Sequence, residues 1–311
     1  MTVISQGKKN SFGLIKSIAA FLLLFLSAVF LSGSIAKETL NGIRFSVEVI
    51  LPSVFPFMVF SDFASHMFAF EENKAISSAF ERIFKINGCA ISALLSGMAG
   101  GFPVGAKAAL NLYNNGKISK CECQRLMSFA NLPSPAYVIS AVGIGILSSF
   151  KLGIILYFTS VFSSLICGII IGSKKKCTHF FEHNANKSYS FVGSLKNSAS
   201  ASVNLIFFVS FFSAICGLIK SAPLPEFLKP VLIAFSEVGN ASVYISDLYI
   251  FSDRIKIALI AFSLSFSGIS VLMQGLALEG GDKMSISKCL LYKLLCGVIS
   301  FIIILLLPIK I

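Results

Sequence analysis

Long runs without a charged residue alternate with short polar linkers along this chain. The long runs are Ser17–Ala36, Ile86–Ala106, Leu126–Phe150, Leu152–Ser173, Asn197–Ile219 and Ile257–Leu278. A membrane-spanning helix needs roughly 20 apolar residues, so each run can cross a bilayer once. Val47–Met67, Pro230–Ser246 and Leu294–Pro308 are shorter candidates. No stretch alternates polar and apolar positions with period two, which excludes a β-barrel. The pattern predicts an all-α, polytopic transmembrane helical bundle.

One run is not uniform. Leu94 to Lys107 reads LLSGMAGGFPVGAK, with Gly97, Gly100, Gly101, Gly105 and Pro103 close together. Glycines spaced by four let helices pack closely, and Gly97, Gly101 and Gly105 have that spacing. Packing does not account for Pro103 among them. The cluster predicts broken backbone at membrane depth, which is tolerated only where it is buried in protein or lines a cavity.

The rest of the chain falls into place around this segment. Residues 1–44 read as an N-terminal anchor whose uncleaved helix (about Ser17–Ile35) runs outward, with Lys8, Lys9 and Lys16 inside. A second helix, Val47–Met67, carries Pro52 and Pro56 and is expected to kink. Phe68–Lys85 reads as an amphipathic connector. Ile86–Leu110 is then expected to dip into the membrane and return. Ser119 and Glu122 form a capping box before a short helix over Lys120–Ala130. A polar turn, Asn131 to Pro135, leads into a hairpin of Ala136–Ser149 and Leu152–Gly172. This first membrane half spans 45–172. A basic cytoplasmic loop, 173–196, separates it from a second half, 197–311, which holds the polar interruptions Ser236–Asn240 and Ser263–Gln274.

The halves share a spacing. Pro103 and Pro133 are 30 residues apart, and Gly239 and Gly268 are 29 apart. The linker inside the first pair is basic and that inside the second is neutral. Opposite loop polarity is what two inverted halves would show, each containing broken or re-entrant helices with the site at the midplane.

Composition narrows the function. Apolar residues make up 55% of the chain and charged residues 13%, with a mean hydropathy of +0.84. The formal net charge of +12 would suit nucleic acid. The cations, however, sit in short loops beside apolar runs: Lys8, Lys9 and Lys16; Lys117, Lys120 and Arg125; Lys174, Lys175, Lys176, Lys187 and Lys196. That is the positive-inside pattern, so the expected partners are the lipid bilayer and a small solute or ion, with no nucleic acid; a homo-oligomer is allowed for. The eight cysteines show no metal or disulfide framework. Cys177, His179 and His183 are weighed as a metal site and read as solvated instead. No cofactor is expected. Without a phosphate-binding loop, a Ser-His-Asp set or a His-Glu-x-x-His motif, no enzyme is expected either.

Several polar residues each have a functional and a structural reading. Lys107 either faces a cavity and binds an anionic group or a carboxylate, or snorkels to the interface. Glu237 is an acid between apolar runs, where acids are expensive and usually functional; a pairing with Lys107 is one form of that role. Asn240, Ser265, Ser267, Ser270 and Gln274 are either solute ligands or hydrogen-bonding glue between helices. Glu48 and Asp62 are read as interfacial.

Ser96–Leu147, SGMAGGFPVGAKAALNLYNNGKISKCECQRLMSFANLPSPAYVISAVGIGIL, together with SEVGN (Ser236–Asn240) and SFSGISVLMQ (Ser265–Gln274), resembles YlbJ-type sporulation integral membrane proteins of endospore-forming Firmicutes. These are similar to the nucleoside-recognition or Gate-domain group, which includes the Gate regions of FeoB-type iron transporters, and to concentrative nucleoside transporters in plan. Where the family has Ser-Gly-Tyr/Phe-Pro, this chain has Gly100-Gly101-Phe102-Pro103; where it has Asn-Asn/Ser-Gly-Pro, this chain has Asn131-Leu132-Pro133-Ser134-Pro135. The acid–Asn pair is kept as Glu237 and Asn240. The resemblance implies a role in spore formation, particularly the cortex, with no established solute. The expected function is a secondary transporter or permease in the membranes of a sporulating cell. Its site would draw on Gly100, Gly101, Pro103, Gly105, Lys107, Asn131, Ser134, Glu237, Asn240, Ser265, Ser267, Ser270 and Gln274. The alternative is a non-transporting scaffold for cortex or coat assembly, acting through the basic loop.

Overall fold

The computed structural model describes residues 32–67, 74–173 and 190–308. All but the last turn of the first expected helix, and the Cys177–His183 cluster, lie outside them. The described chain is all-α. Helix α1 (Ser32–Phe45) continues through a π-helical turn (Ser46–Ile50) into α2 (Leu51–Met67). The polar stretch Lys37–Arg44, which separates the first two apolar runs, is therefore helical rather than a loop. It is anchored along α9 (Phe191–Ser221) by an ion pair of Lys220 Nζ with Glu38 Oε2 at 3.1 Å. Close approach also holds it, since a side chain at Gly42 would strike Ser213.

Amphipathic α3 (Lys74–Phe84) buries Phe80 and Phe84, the latter stacked on Phe129 at 5.2 Å. It meets the segment Gly88–Gly100 at a bend of 94°. That segment ends in α4 (Ile91–Gly100), and after a break comes α5 (Val104–Asn114). Helix α6 (Lys120–Ala130) begins with the expected capping box. Ser119 Oγ accepts from Glu122 N, and the Glu122 carboxylate accepts from Ser119 N. The same buried carboxylate also accepts from Asn87 N at 2.9 Å, which ties the start of α6 to the segment before α4. Cys121 in α6 is disulfide-bonded, a correction to the reading of the cysteines; Cys89, Cys123, Cys167, Cys216, Cys289 and Cys296 are free.

A second break, 131–134, precedes α7 (π-helical, Tyr137–Ile146), and α8 (Phe150–Ser173) closes the first half. The second half has a similar order without a counterpart of α3. Long helix α9 is followed by α10 (Leu228–Ser236), a break at Glu237, α11 (Val238–Ser246), α12 (Asp253–Phe266), a break at Ser267, α13 (Gly268–Leu276) and closing helix α14 (Ile286–Leu306). In each half a long helix leads into two broken helices, and a closing helix packs on the second of them.

Burial runs opposite to that of a water-soluble protein. Phe158, Phe162, Phe207 and Phe211 point outward, while Ser160, Ser163, Ser164, Ser263, Ser265 and Ser300 are buried. A bilayer is the solvent that accepts such an apolar exterior, and buried hydroxyls then serve as interhelical hydrogen-bond partners. Among the described residues five helical segments are long and apolar enough to span: Ser32–Phe60, Phe150–Ser173, Phe191–Ser221, Asp253–Leu276 and Ile286–Leu306. The protein is a multi-pass helical membrane protein.

Candidate functional site

The two halves break their helices by different chemistry. In the first, α4 ends at Gly100, and Gly101 takes φ +76°, a left-handed conformation that suits glycine. A Cβ there would sit 2.6 Å from the Ser134 backbone nitrogen. The breaks at 101–103 and 131–134 therefore lie in contact. Gly97 and Gly105 hold them there, since a Cβ on either would fall on the Ala130 carbonyl oxygen. The Phe102–Pro103 peptide is cis, and Pro103 stands at the N-cap of α5.

In the second half the breaks are made by polar residues. Glu237, extended at φ −151°, ψ 132°, ends α10 and caps α11. Its Oε2 accepts from Asn240 N at 2.6 Å and Asn240 Nδ2 at 2.9 Å. A carboxylate at a helix N-terminus is favoured by the unpaired amides there. Ser267, with φ +74°, separates α12 from α13. Its neighbour Gly268 lies so near that a Cβ would be 3.1 Å from the Ser236 carbonyl oxygen and 3.3 Å from Glu237 Cα. These two breaks touch as well.

Three of the four breaks, at Phe102, Ser134 and Glu237, line one small cavity of about 30 Å³, and the fourth packs behind Glu237 through Gly268. Phe102, Ser134 and Tyr137 line it from the first half, and Glu237, Val238, Val271 and Gln274 from the second; Ile50, Val54, Leu205 and Val209 complete the wall. Glu237 is 2% exposed and Gln274 is 4% exposed. Gln274 Oε1 has no hydrogen-bond partner among the described residues. Ligand sites for drug-sized molecules run to roughly 300–1,000 Å³, so this conformation has room for a water or a small ion.

A second, wider pocket of about 340 Å³ lies on the other side of α11's first turn. Glu38, Asn41, Lys220, Gly239, Asn240, Tyr244 and Asp247 are in its lining. Asn240 therefore stands between pocket and cavity, bonded to Glu237 on one side and donating from Nδ2 to Ser213 Oγ at 2.7 Å. The pocket opens near the end of α9, where Lys220 lines it.

The sequence-derived candidates thus divide. Ser134, Glu237 and Gln274 line the cavity. Gly100, Gly101, Pro103 and Gly105 build the break beside it, and Ser270, fully buried, accepts from Gln274 Nε2 at 3.4 Å. Lys107 does not pair with Glu237. Its Nζ lies 3.1 Å from Asp62 Oδ1, and Asp62 is buried rather than interfacial. Ser265 faces α8, at 3.3 Å from both Ser160 Oγ and Ser163 Oγ; it joins helices. Asn131 and Ser267 converge on a residue that the sequence reading passed over. Lys293, in α14 and 3% exposed, donates to the Asn131 carbonyl, to Ser267 Oγ at 2.8 Å and to the Ser265 carbonyl at 3.5 Å. The signal available was a lone lysine just before the apolar run Leu294–Pro308, which is the ordinary sign of an interfacial residue.

A curated protein, the sporulation integral membrane protein YlbJ of Bacillus subtilis (strain 168), is 32% identical to this chain over 159 residues. Over that stretch the chain is similar to YlbJ. The match takes in 50% of this chain and 39% of the length of that YlbJ protein. No family model matches the chain. No solved structure matches it either. The YlbJ resemblance read from the broken-helix motifs therefore has a relative behind it, and the fold described above has no solved counterpart to lean on.

Proposed function

We propose that this chain is a membrane protein of sporulation that moves a small solute, still to be identified, across a membrane of the spore-forming cell, in support of cortex formation. The observation that carries this reading is the convergence of helix breaks from both halves, at Phe102, Ser134 and Glu237, on one cavity holding the buried Glu237. Interrupted helices that meet in this way are the plan of secondary transporters, with binding at the junction of two inverted repeats. A buried acid inside a membrane protein is costly and is typically kept for function. The cavity is narrow while the pocket behind Asn240 is wider, which suits a permease with its centre closed. Its Glu237–Asn240 contact is the element that must part for solute to pass.

The test is made in a spore-forming host that lacks its own YlbJ-type protein and carries this one. Glu237→Gln combined with Asn240→Ala should lower the yield of heat-resistant spores while the protein level in membranes holds. Unchanged spore yield at unchanged protein level would refute the transport site. Deleting Lys174–Lys187 in the same host addresses the scaffold role: loss of spores on that deletion alone, with the double variant silent, would favour it.

A further inference from the structure

Lys293 is among the most deeply buried cations of the described residues. It is 3% exposed, yet no described carboxylate pairs with it. The titratable groups nearest to it are thiols, those of Cys167, Cys289 and Cys296. An ammonium buried without a counter-ion is strongly unfavourable, so something else must neutralise it. Its partners supply the answer. Asn131 is the C-cap of α6, and Ser265 lies in the last turn of α12. The final carbonyls of a helix lack intrahelical partners and carry the negative end of the helix dipole. Lys293 Nζ therefore sits between two helix C-termini, with Ser267 Oγ as a third acceptor at 2.8 Å and the Phe102 ring centroid at 5.8 Å as a cation–π neighbour.

Those helix ends are not arbitrary. Helix α6 leads into the second break of the first half, and α12 into the second break of the second half. One ammonium on closing helix α14 thus touches the corresponding break of both halves. In membrane proteins with discontinuous helices, unwound carbonyls and half-helix C-terminal ends are what a free cation binds. The left-handed backbone of Ser267, unfavourable for a residue with a Cβ, is also accounted for: it turns Oγ toward the ammonium.

We propose that Lys293 is a built-in cation that fills, at the junction of α6, α12 and α14, the place a free ion would otherwise take, and so holds the second break of each half in register. Removing the ammonium exposes a site for a small organic cation. This assignment is independent of what the central cavity carries, so its failure would leave the transport reading standing.

The experiment uses the full chain purified in detergent, with thermal unfolding as the readout. Lys293→Ala should unfold roughly 10 °C lower than the parent, the size expected for breaking up a buried charge site in a chain this long. Propylammonium, which has the three carbons and the ammonium that alanine lacks, should restore much of that loss in a saturable way. 1-Propanol at the same concentration and ionic strength should not. Restoration by the alcohol as effectively as by the amine would mean that the side chain only fills space, and would overturn the proposal, as would no restoration by either. If Lys293→Ala does not accumulate, Lys293→Arg and Lys293→Met decide. More folded protein with arginine than with methionine supports the charge role. Methionine equal to or better than arginine refutes it.

Discussion

The two halves of this membrane protein break their helices at matching places by different means. The first half uses glycine and proline, and its break is a packing device: Gly97 and Gly105 admit the Ala130 carbonyl, and Gly101 admits the backbone of Ser134. The second half uses Glu237 and Ser267, whose side chains make hydrogen bonds at the break itself. The first half therefore contributes shape to the cavity, with Phe102 and Ser134, and the second contributes its charge. The two sets of breaks thus lie side by side while the acid comes from one of them.

If the glycine break is a matter of packing, added volume should damage it most. Gly105→Ala should cost about 1–3 kcal/mol by overpacking against Ala130, read as a lower unfolding temperature and lower membrane content. The matching change in the second half sets the contrast. Gly275 in α13 has room, since a Cβ there would meet Ala106 at 3.4 Å. Gly275→Ala should be neutral or slightly stabilising, by up to about 1 kcal/mol from helix propensity. Equal damage at both positions would erase the distinction.

Between those extremes lies the Lys107–Asp62 pair, which belongs to the first half. With side-chain exposures of 22% and 9% it is only partly screened, and Lys107→Ala should cost about 1–2 kcal/mol. That loss should leave spore yield intact once expression is matched, because the pair lies outside the cavity. Smaller still is the stability cost of Glu237→Gln, about 1 kcal/mol or less, because glutamine keeps an oxygen that can accept from Asn240 N while only the charge at the helix start is lost. Its effect on spore yield should be far larger than its effect on unfolding. A Glu237→Gln protein that unfolds early and sporulates normally would make Glu237 a helix cap and no more.

Much of the fold was legible because it rests on local chemistry. The capping box of Ser119 and Glu122 needs only residues three apart, and the break at Gly100–Pro103 is written in residue types that cannot continue a helix. The break at Glu237 was legible as an acid in an apolar run, though its role as cap was not. What escaped the sequence depends on distant partners. Asp62 and Lys107 are 45 residues apart and each alone looks like an interfacial charge. Lys293 is held by carbonyls, which every residue has, and by one hydroxyl, so no sequence pattern marks its site. Ser265 and Ser134 look alike in sequence; only packing turns one toward α8 and the other toward the cavity.

The central claim is that water and solute reach the space between the breaks, as a permease requires and a dry scaffold core does not. Cysteine labelling in native membranes tests it most directly. With a small, water-soluble methanethiosulfonate reagent, Ser134→Cys, Val238→Cys and Gln274→Cys should each label above the parent protein, whereas Ser265→Cys, packed against Ser160 and Ser163, should not. Labelling of none of the three cavity positions, or of Ser265→Cys to the same extent, would contradict the account.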